Sequence, residues 1–309
     1  MSQFRRIISH PAVKAAYFVL LIAATAYYLL RWGDRLPELL AQIEPGWAVL
    51  ALATTLLASL VYCFIQYTIY RHLEAGVSYW TTFRIVTIAQ LGKYLPGKVM
   101  FAGNYYLLSR EAGISSIQVG TSFVVSQALW MLTASLCGLP VLSLLHPALR
   151  YTVLLFPLAL LLLIHPRFLG WLLRLGQRLA RRAEGQPLPL PKGLGLRFYA
   201  WVAFLYLLNW GLAGLGAWLS LRALGPLGLD VFFLALASIA LGTAAGLVAL
   251  FAPVGLGIRE GLGALILAPA VGPEVALLGL VLLRGITVVV DLSLALVSMA
   301  AGARSRTAK

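Results

Sequence analysis

Four cations of this chain stand where hydrocarbon would make them costly. Lys93, Lys98, Arg259 and Arg284 fall inside or beside long apolar runs, and only Glu260 and Asp291 are acids close to them. A lone cation at the centre of a bilayer costs about 2.5–3.5 kcal/mol on insertion scales, so such residues pair, face water or meet a ligand. Lys93 and Lys98 flank the turn Gly92-Lys93-Tyr94-Leu95-Pro96-Gly97-Lys98. Proline and glycine there free backbone N–H groups beside two positive charges. That is suitable chemistry for a lipid phosphate. The competing reading has both lysines extending their heads to the interface.

A second constellation is Pro253-Val254-Gly255-Leu256-Gly257-Ile258-Arg259-Glu260. Its glycines permit the tight backbone approach and positive φ that a break within a membrane requires. Arg284 and Asp291, seven residues apart, share one face of the last apolar helix. Together these residues suggest a buried polar network, either a headgroup site or a structural ion-pair cluster. Catalytic residues are not expected: there is no H-E-x-x-H, no G-x-x-x-x-G-K-[ST] and no Ser/His/Asp set. No cofactor and no metal are expected either. Cys63 and Cys137 lie singly in apolar runs, and the four histidines stand apart at segment ends.

The elements that position these residues are membrane helices. The 309 residues are 61% hydrophobic and 11% charged, against about 25% charged in an ordinary soluble protein. Uninterrupted apolar spans are expected at 13–30, 47–70, 117–145, 149–164, 198–221 and 275–301, each near the roughly 20 residues that cross a bilayer. Two further regions, 81–108 and 231–271, are broken by Pro96-Gly97 and by Pro253 with Gly255 and Gly257. Their half-segments 98–108 and 258–271 are short for full spans, which favours re-entrant hairpins. The first run lacks a small-x-small cleavage site and reads as a retained helix.

The net charge of +14 does not indicate nucleic acid, because the basic residues cluster at the ends of apolar runs and no basic face is interleaved with exposed aromatics. With the N-terminus inside, sixteen of the 24 lysines and arginines fall on the inner side. Only Arg31, Arg35, Arg150 and Arg222 fall outside, and the four embedded cations complete the total. Both termini and the basic stretch 165–197 are therefore expected in the cytoplasm, with the chain in the inner membrane.

The two broken regions also resemble each other. Pro96 precedes Ser116 by twenty residues and Pro253 precedes Glu274 by twenty-one, and a long helix begins at each. The sequence thus reads as an all-α, polytopic integral membrane protein. It forms one membrane domain, 1–309, with pseudo-repeat halves 13–164 and 198–301 in inverted topology joined by the linker 165–197. Inverted repeats with discontinuous helices place binding sites near the bilayer midplane. Two independent Pro/Gly kinks would leave the same local pattern. Polar stripes add candidate cavity linings: Ser59, Cys63, Gln66 and Tyr70 on the second helix, and Ser122, Ser126, Trp130 and Thr133 on a later one. Such stripes also bond helices to each other.

The motifs G-K-Y-L-P-G-K at 92–98 and P-V-G-L-G-I-R-E at 253–260, with Arg284 downstream, resemble the lysylphosphatidylglycerol synthase transmembrane-region family. The likeness covers roughly 13–301. It implies a lipid-binding or lipid-translocating domain, flippase-like, with inverted repeats, re-entrant helices and an anionic membrane lipid as partner. These 309 residues hold no counterpart of the family's soluble aminoacyl-transferase domain, so a stand-alone member is expected and lysine transfer is not. The alternatives are a non-transporting accessory subunit of an envelope glycan- or lipid-modifying enzyme, and an intramembrane transferase.

Overall fold

A computed structural model describes residues 41, 43–94, 99–144, 151, 171, 195–248 and 257–307. The expected span 13–30, all of 149–164 but residue 151, and nearly all of 165–197 lie outside the described residues. So do Pro96, Gly97, Lys98, Pro253 and Gly255. The described residues form helices and turns, without a strand. Eight α-helices follow in order: α1 Pro45–His72, α2 Tyr79–Leu91, α3 Val99–Glu111, α4 Ser116–Cys137, α5 Leu196–Arg222, α6 Phe232–Val248, α7 Ile258–Val271 and α8 Pro273–Thr307.

Local chemistry sets their ends. Proline occupies the start of α1, where its missing N–H has no helical partner to lose. Ser78 opens α2 by accepting from the Thr81 amide at 3.1 Å. Ser115 and Gln118 form a reciprocal capping box at α4, with the Ser115 N–H donating to Gln118 Oε1 at 3.1 Å. Gly257, at φ +79°, turns the chain into α7 in a conformation that disfavours any side chain.

Five segments among the described residues are long and apolar enough to cross a membrane: Pro45–His72, Ser116–Val141, Leu196–Arg222, Leu229–Gly246 and Pro273–Ala301. Their outward faces are apolar, with Val49 64%, Leu296 62% and Phe204 55% exposed. That is the pattern of a multi-pass membrane protein, in which lipid covers what water could not. By contrast α2 and α3, with 13 residues each, reach only about 20 Å. The limb Leu229–Gly246 of the second broken region is long enough to cross by itself, whereas α7 has 14 residues.

Both broken regions fold back as packed helix pairs. A Cβ on Gly92 would lie 2.9 Å from the Met100 carbonyl, so α3 begins directly against the end of α2. In the second pair a Cβ on Gly242 would lie 2.7 Å from the Arg259 carbonyl oxygen, and one on Gly263 3.5 Å from that of Ser238. The order 238, 242 against 263, 259 makes α6 and α7 antiparallel, with glycine at each close approach.

The halves repeat one element order, a long helix, a broken pair and a long helix: α1, α2–α3, α4, then α5, α6–α7, α8. Their first helices pack antiparallel. Glu44 N–H donates to the Ala223 carbonyl at 2.9 Å, Asn209 Nδ2 to the Ala58 carbonyl at 2.6 Å, and His72 stacks on Phe198 at 4.0 Å. The helices α1 and α5 therefore run in opposite directions. Contacts between the halves exchange accordingly. The helix α2 packs on α8 while α6 packs on α4, and α1 touches α8 while α5 touches α4.

Candidate functional site

Between the two halves lies a cavity of about 320 Å³, whose lining includes residues of α1, α2, α4, α5, α6, α7 and α8. Lys93, Arg259, Arg284 and Asp291 all line it. They come from three separate segments: the short 3₁₀ turn Gly92–Tyr94 after α2, the first turn of α7 and the middle of α8. The hairpin at Gly92 holds Lys93 in place, and the α6–α7 contact at Gly242 fixes the backbone of Arg259 itself.

Lys93 Nζ lies 2.5 Å from Asp291 Oδ2. The Tyr94 hydroxyl donates to the same oxygen at 2.5 Å. The Tyr94 ring lies between two cations, with Lys93 Nζ at 5.2 Å and the Arg284 guanidinium at 5.7 Å from its centroid. Arg259 and Arg284 have no carboxylate within ion-pair distance among the described residues. Among the described residues the lining thus holds three cations and one carboxylate, and an apolar surround strengthens the field they produce.

Glu260 has a different place. Its Oε2 accepts from the Gly257 N–H at 3.0 Å, capping α7, and it is not among the cavity residues. Gly92 and Gly257 stand at the two breaks as turn-forming residues. Lys98 lies outside the described residues.

The polar stripes divide. Ser59, Cys63 and Trp130 face the cavity, joined by Gln127 and Asn209. Gln66 is instead buried in a network that ties four helices: its Nε2 donates to Ser126 Oγ at 2.6 Å and Tyr206 OH at 3.2 Å, and its Oε1 accepts from Tyr105. Tyr70 shares a hydrogen bond with Ser109 at 2.9 Å. Gln90 heads the stretch 90–98 that carries the first motif, whereas Trp210 has no local signal in the sequence. Tyr94 sits within the first motif, but nothing local marks its hydroxyl for a residue 197 positions away.

Ser116 and Pro273, which open α4 and α8, are 157 residues apart, as are Pro96 and Pro253. On that displacement Gln127 corresponds to Arg284 and Trp130 to Thr287, and all four line the cavity. Its charges are not duplicated: Lys93, Arg259 and Asp291 correspond to Leu250, Ala102 and Ala134. Across that displacement the charges are one-sided.

A family model, lysylphosphatidylglycerol synthase TM region, matches residues 12–295. The chain belongs to this lysylphosphatidylglycerol synthase transmembrane-region family. The match takes in both halves and every described residue of the cationic cluster. No curated protein matches the sequence.

Proposed function

We propose that this domain binds the phosphate of an anionic membrane lipid in the cavity between its inverted halves and carries the headgroup from one leaflet to the other. One observation carries the reading: Lys93, Arg259 and Arg284 converge from three segments on a cavity that holds a single carboxylate among the described residues. A phosphate supplies the missing negative charge, and a guanidinium matches its oxygens two at a time. A cavity of about 320 Å³ sits at the small end of ligand sites and takes a headgroup, while the acyl or prenyl chains stay against the apolar outer faces. Inverted halves packed around one site can rock between arrangements open to either side. Family membership adds weight, since the family is named for an enzyme of an anionic phospholipid. We place the domain in the inner membrane with both termini in the cytoplasm, on the charge bias of its sequence, and assign it no catalytic step.

The test is reconstitution in vesicles that carry a fluorescent anionic lipid, followed by quenching of the outer leaflet. Loss of protection at a rate proportional to protein, at least tenfold slower with Arg259→Gln, is the expected result. Unaccelerated exchange by protein that still copurifies the lipid would favour the accessory-subunit reading. Lys93→Gln and Arg259→Gln proteins that insert normally and retain the same lipid in the same amount would sink the headgroup site.

A further inference from the structure

Away from the cavity, the described residues form a basic cleft at one end of the seam where α1 packs on α5. Its lining is Thr68, Arg71 and His72 from the last turns of α1, and Arg197, Phe198 and Trp201 from the first turns of α5. Each half of the molecule thus supplies one arginine. Neither Arg71 nor Arg197 has a carboxylate within ion-pair distance among the described residues. Glu74, three residues beyond Arg71, is not in the lining.

The antiparallel docking sets the two arginines at one level. The contacts of Glu44 with Ala223, Ala58 with Asn209 and His72 with Phe198 fix the register of the helices. In that register Arg71 stands level with Arg197, Thr68 with Trp201, and Phe64 with Phe204. Steps of three, four and seven residues keep each series on one helix face. Phe64 and Phe204 lie about 10 Å deeper than the arginines, at 1.5 Å per residue. Phe64 is 42% exposed, Trp201 49% and Phe204 55%, and the Trp201 ring stacks on that of Phe204 at 5.7 Å. The exposed Leu57 and Leu208 continue the two apolar stripes.

This groove lies on the far side of the seam from the cavity. On α1 the cavity is lined by Thr55, Ala58, Ser59 and Tyr62, about half a helical turn around from Leu57, Phe64 and Arg71. The cleft and the cavity share no lining residue. Arginine and tryptophan at the ends of membrane helices are ordinary interfacial anchors, but an anchor needs no counterpart on a second helix. Here two guanidiniums from different halves meet at one concavity, at the height where α1 and α5 leave the apolar layer. Each can engage phosphate oxygens in pairs, and the exposed stripes beneath suit acyl chains. Basic pockets between membrane helices hold anionic lipid headgroups by the same chemistry.

We propose that this cleft is a second lipid site, occupied by a resident anionic phospholipid. Its phosphate sits between Arg71 and Arg197, and its acyl chains run along Phe64, Trp201 and Phe204. On the orientation proposed above, the lipid belongs to the cytoplasmic leaflet. It is not cargo: it bridges the first helices of the two halves and stabilises their seam.

The experiment uses the full chain, delipidated in a neutral detergent, with native mass spectrometry and thermal melts. The probes are dipalmitoyl phosphatidylglycerol, dipalmitoyl phosphatidylcholine and inorganic phosphate. Arg71→Gln with Arg197→Gln should weaken one phosphatidylglycerol binding event about tenfold and abolish the rise in melting temperature that it gives. The lipid-free melting temperature should stay that of the unaltered protein, since both side chains are exposed. In Arg259→Gln the same lipid-induced rise should persist, because that residue belongs to the cavity. Phosphatidylcholine should bind more weakly and stabilise less. Undiminished phosphatidylglycerol binding by the double variant overturns the site. Equal binding of phosphatidylcholine reduces the cleft to ordinary lipid contact, and equal stabilisation by inorganic phosphate reduces it to an anion site; either overturns the resident lipid. Weakened binding in the double variant, with Arg259→Gln losing no bound lipid, leaves the cleft standing and overturns the cavity reading instead.

Discussion

Lys93 and Asp291 meet at 2.5 Å, joining the helix break of one half to the last helix of the other. The contact lies on the α2–α8 seam, where Thr87 Oγ1 also donates to Ser298 Oγ at 3.0 Å. Its counterpart seam, α4 on α6, is apolar where Gly138 packs against Leu241. One seam is therefore held by charge and the other by close packing.

Replacing Asp291 with Asn separates the roles of that carboxylate. It leaves Lys93 without its partner, and breaking a buried pair typically costs about 3–5 kcal/mol. The same change removes the only negative charge of the lining among the described residues, so anionic lipid should be retained more strongly. The expected outcome is a lower melting temperature together with more copurified anionic lipid by mass spectrometry. Lys93→Gln combined with Asp291→Asn should recover much of the melting temperature, as a double-mutant cycle measures. A fall in both stability and lipid content would show that Asp291 only props the fold.

The glycines of the second hairpin give a steric test. Gly242→Val places carbon within 2.7 Å of the Arg259 carbonyl oxygen, whereas a Cβ on Gly261 meets nothing within 4 Å. Overpacking costs about 1–3 kcal/mol, and here it displaces the residue that bears a site cation. Gly242→Val should lower both stability and anionic-lipid binding. Gly261→Ala, within α7, should bind normally and gain up to about 1 kcal/mol of helix propensity. Equal behaviour of the two in thermal melts and lipid retention would contradict the packing.

Gln66 tests the distinction between helix glue and site. It is buried and bonded to Ser126, Tyr206 and Tyr105, away from the lining. Gln66→Leu leaves those hydroxyls short of a partner, at about 1–3 kcal/mol. Stability should fall while the affinity for a short-chain anionic lipid stays within twofold. A loss of affinity without loss of stability would place Gln66 in the binding machinery.

The orientation rests on charge alone and is tested by reporter fusions. Reporters at Gly185 and after Lys309 should both give cytoplasmic signals, given the sixteen-to-four bias of lysine and arginine. A periplasmic signal at either point contradicts the assignment.

The membrane class, the long helices at 47–70 and 198–221 and the interruptions that separate α2 from α3 and α6 from α7 were legible in the sequence. Each is set by local chemistry: apolar length, and proline or glycine where a helix cannot continue. The cations were visible for the same reason, as charges in apolar runs. Tertiary structure decided how they are used. Asp291 accepts from Lys93 and Tyr94 across nearly two hundred residues, while Glu260, next to Arg259, turns back to cap its own helix. One face of α1 is divided between cavity and packing, with Ser59 and Cys63 in the first and Gln66 and Tyr70 in the second. Helical periodicity gives a residue's direction but not what stands opposite it. That depends on the antiparallel docking of α1 on α5, a contact between surfaces brought together only when the two halves fold around each other.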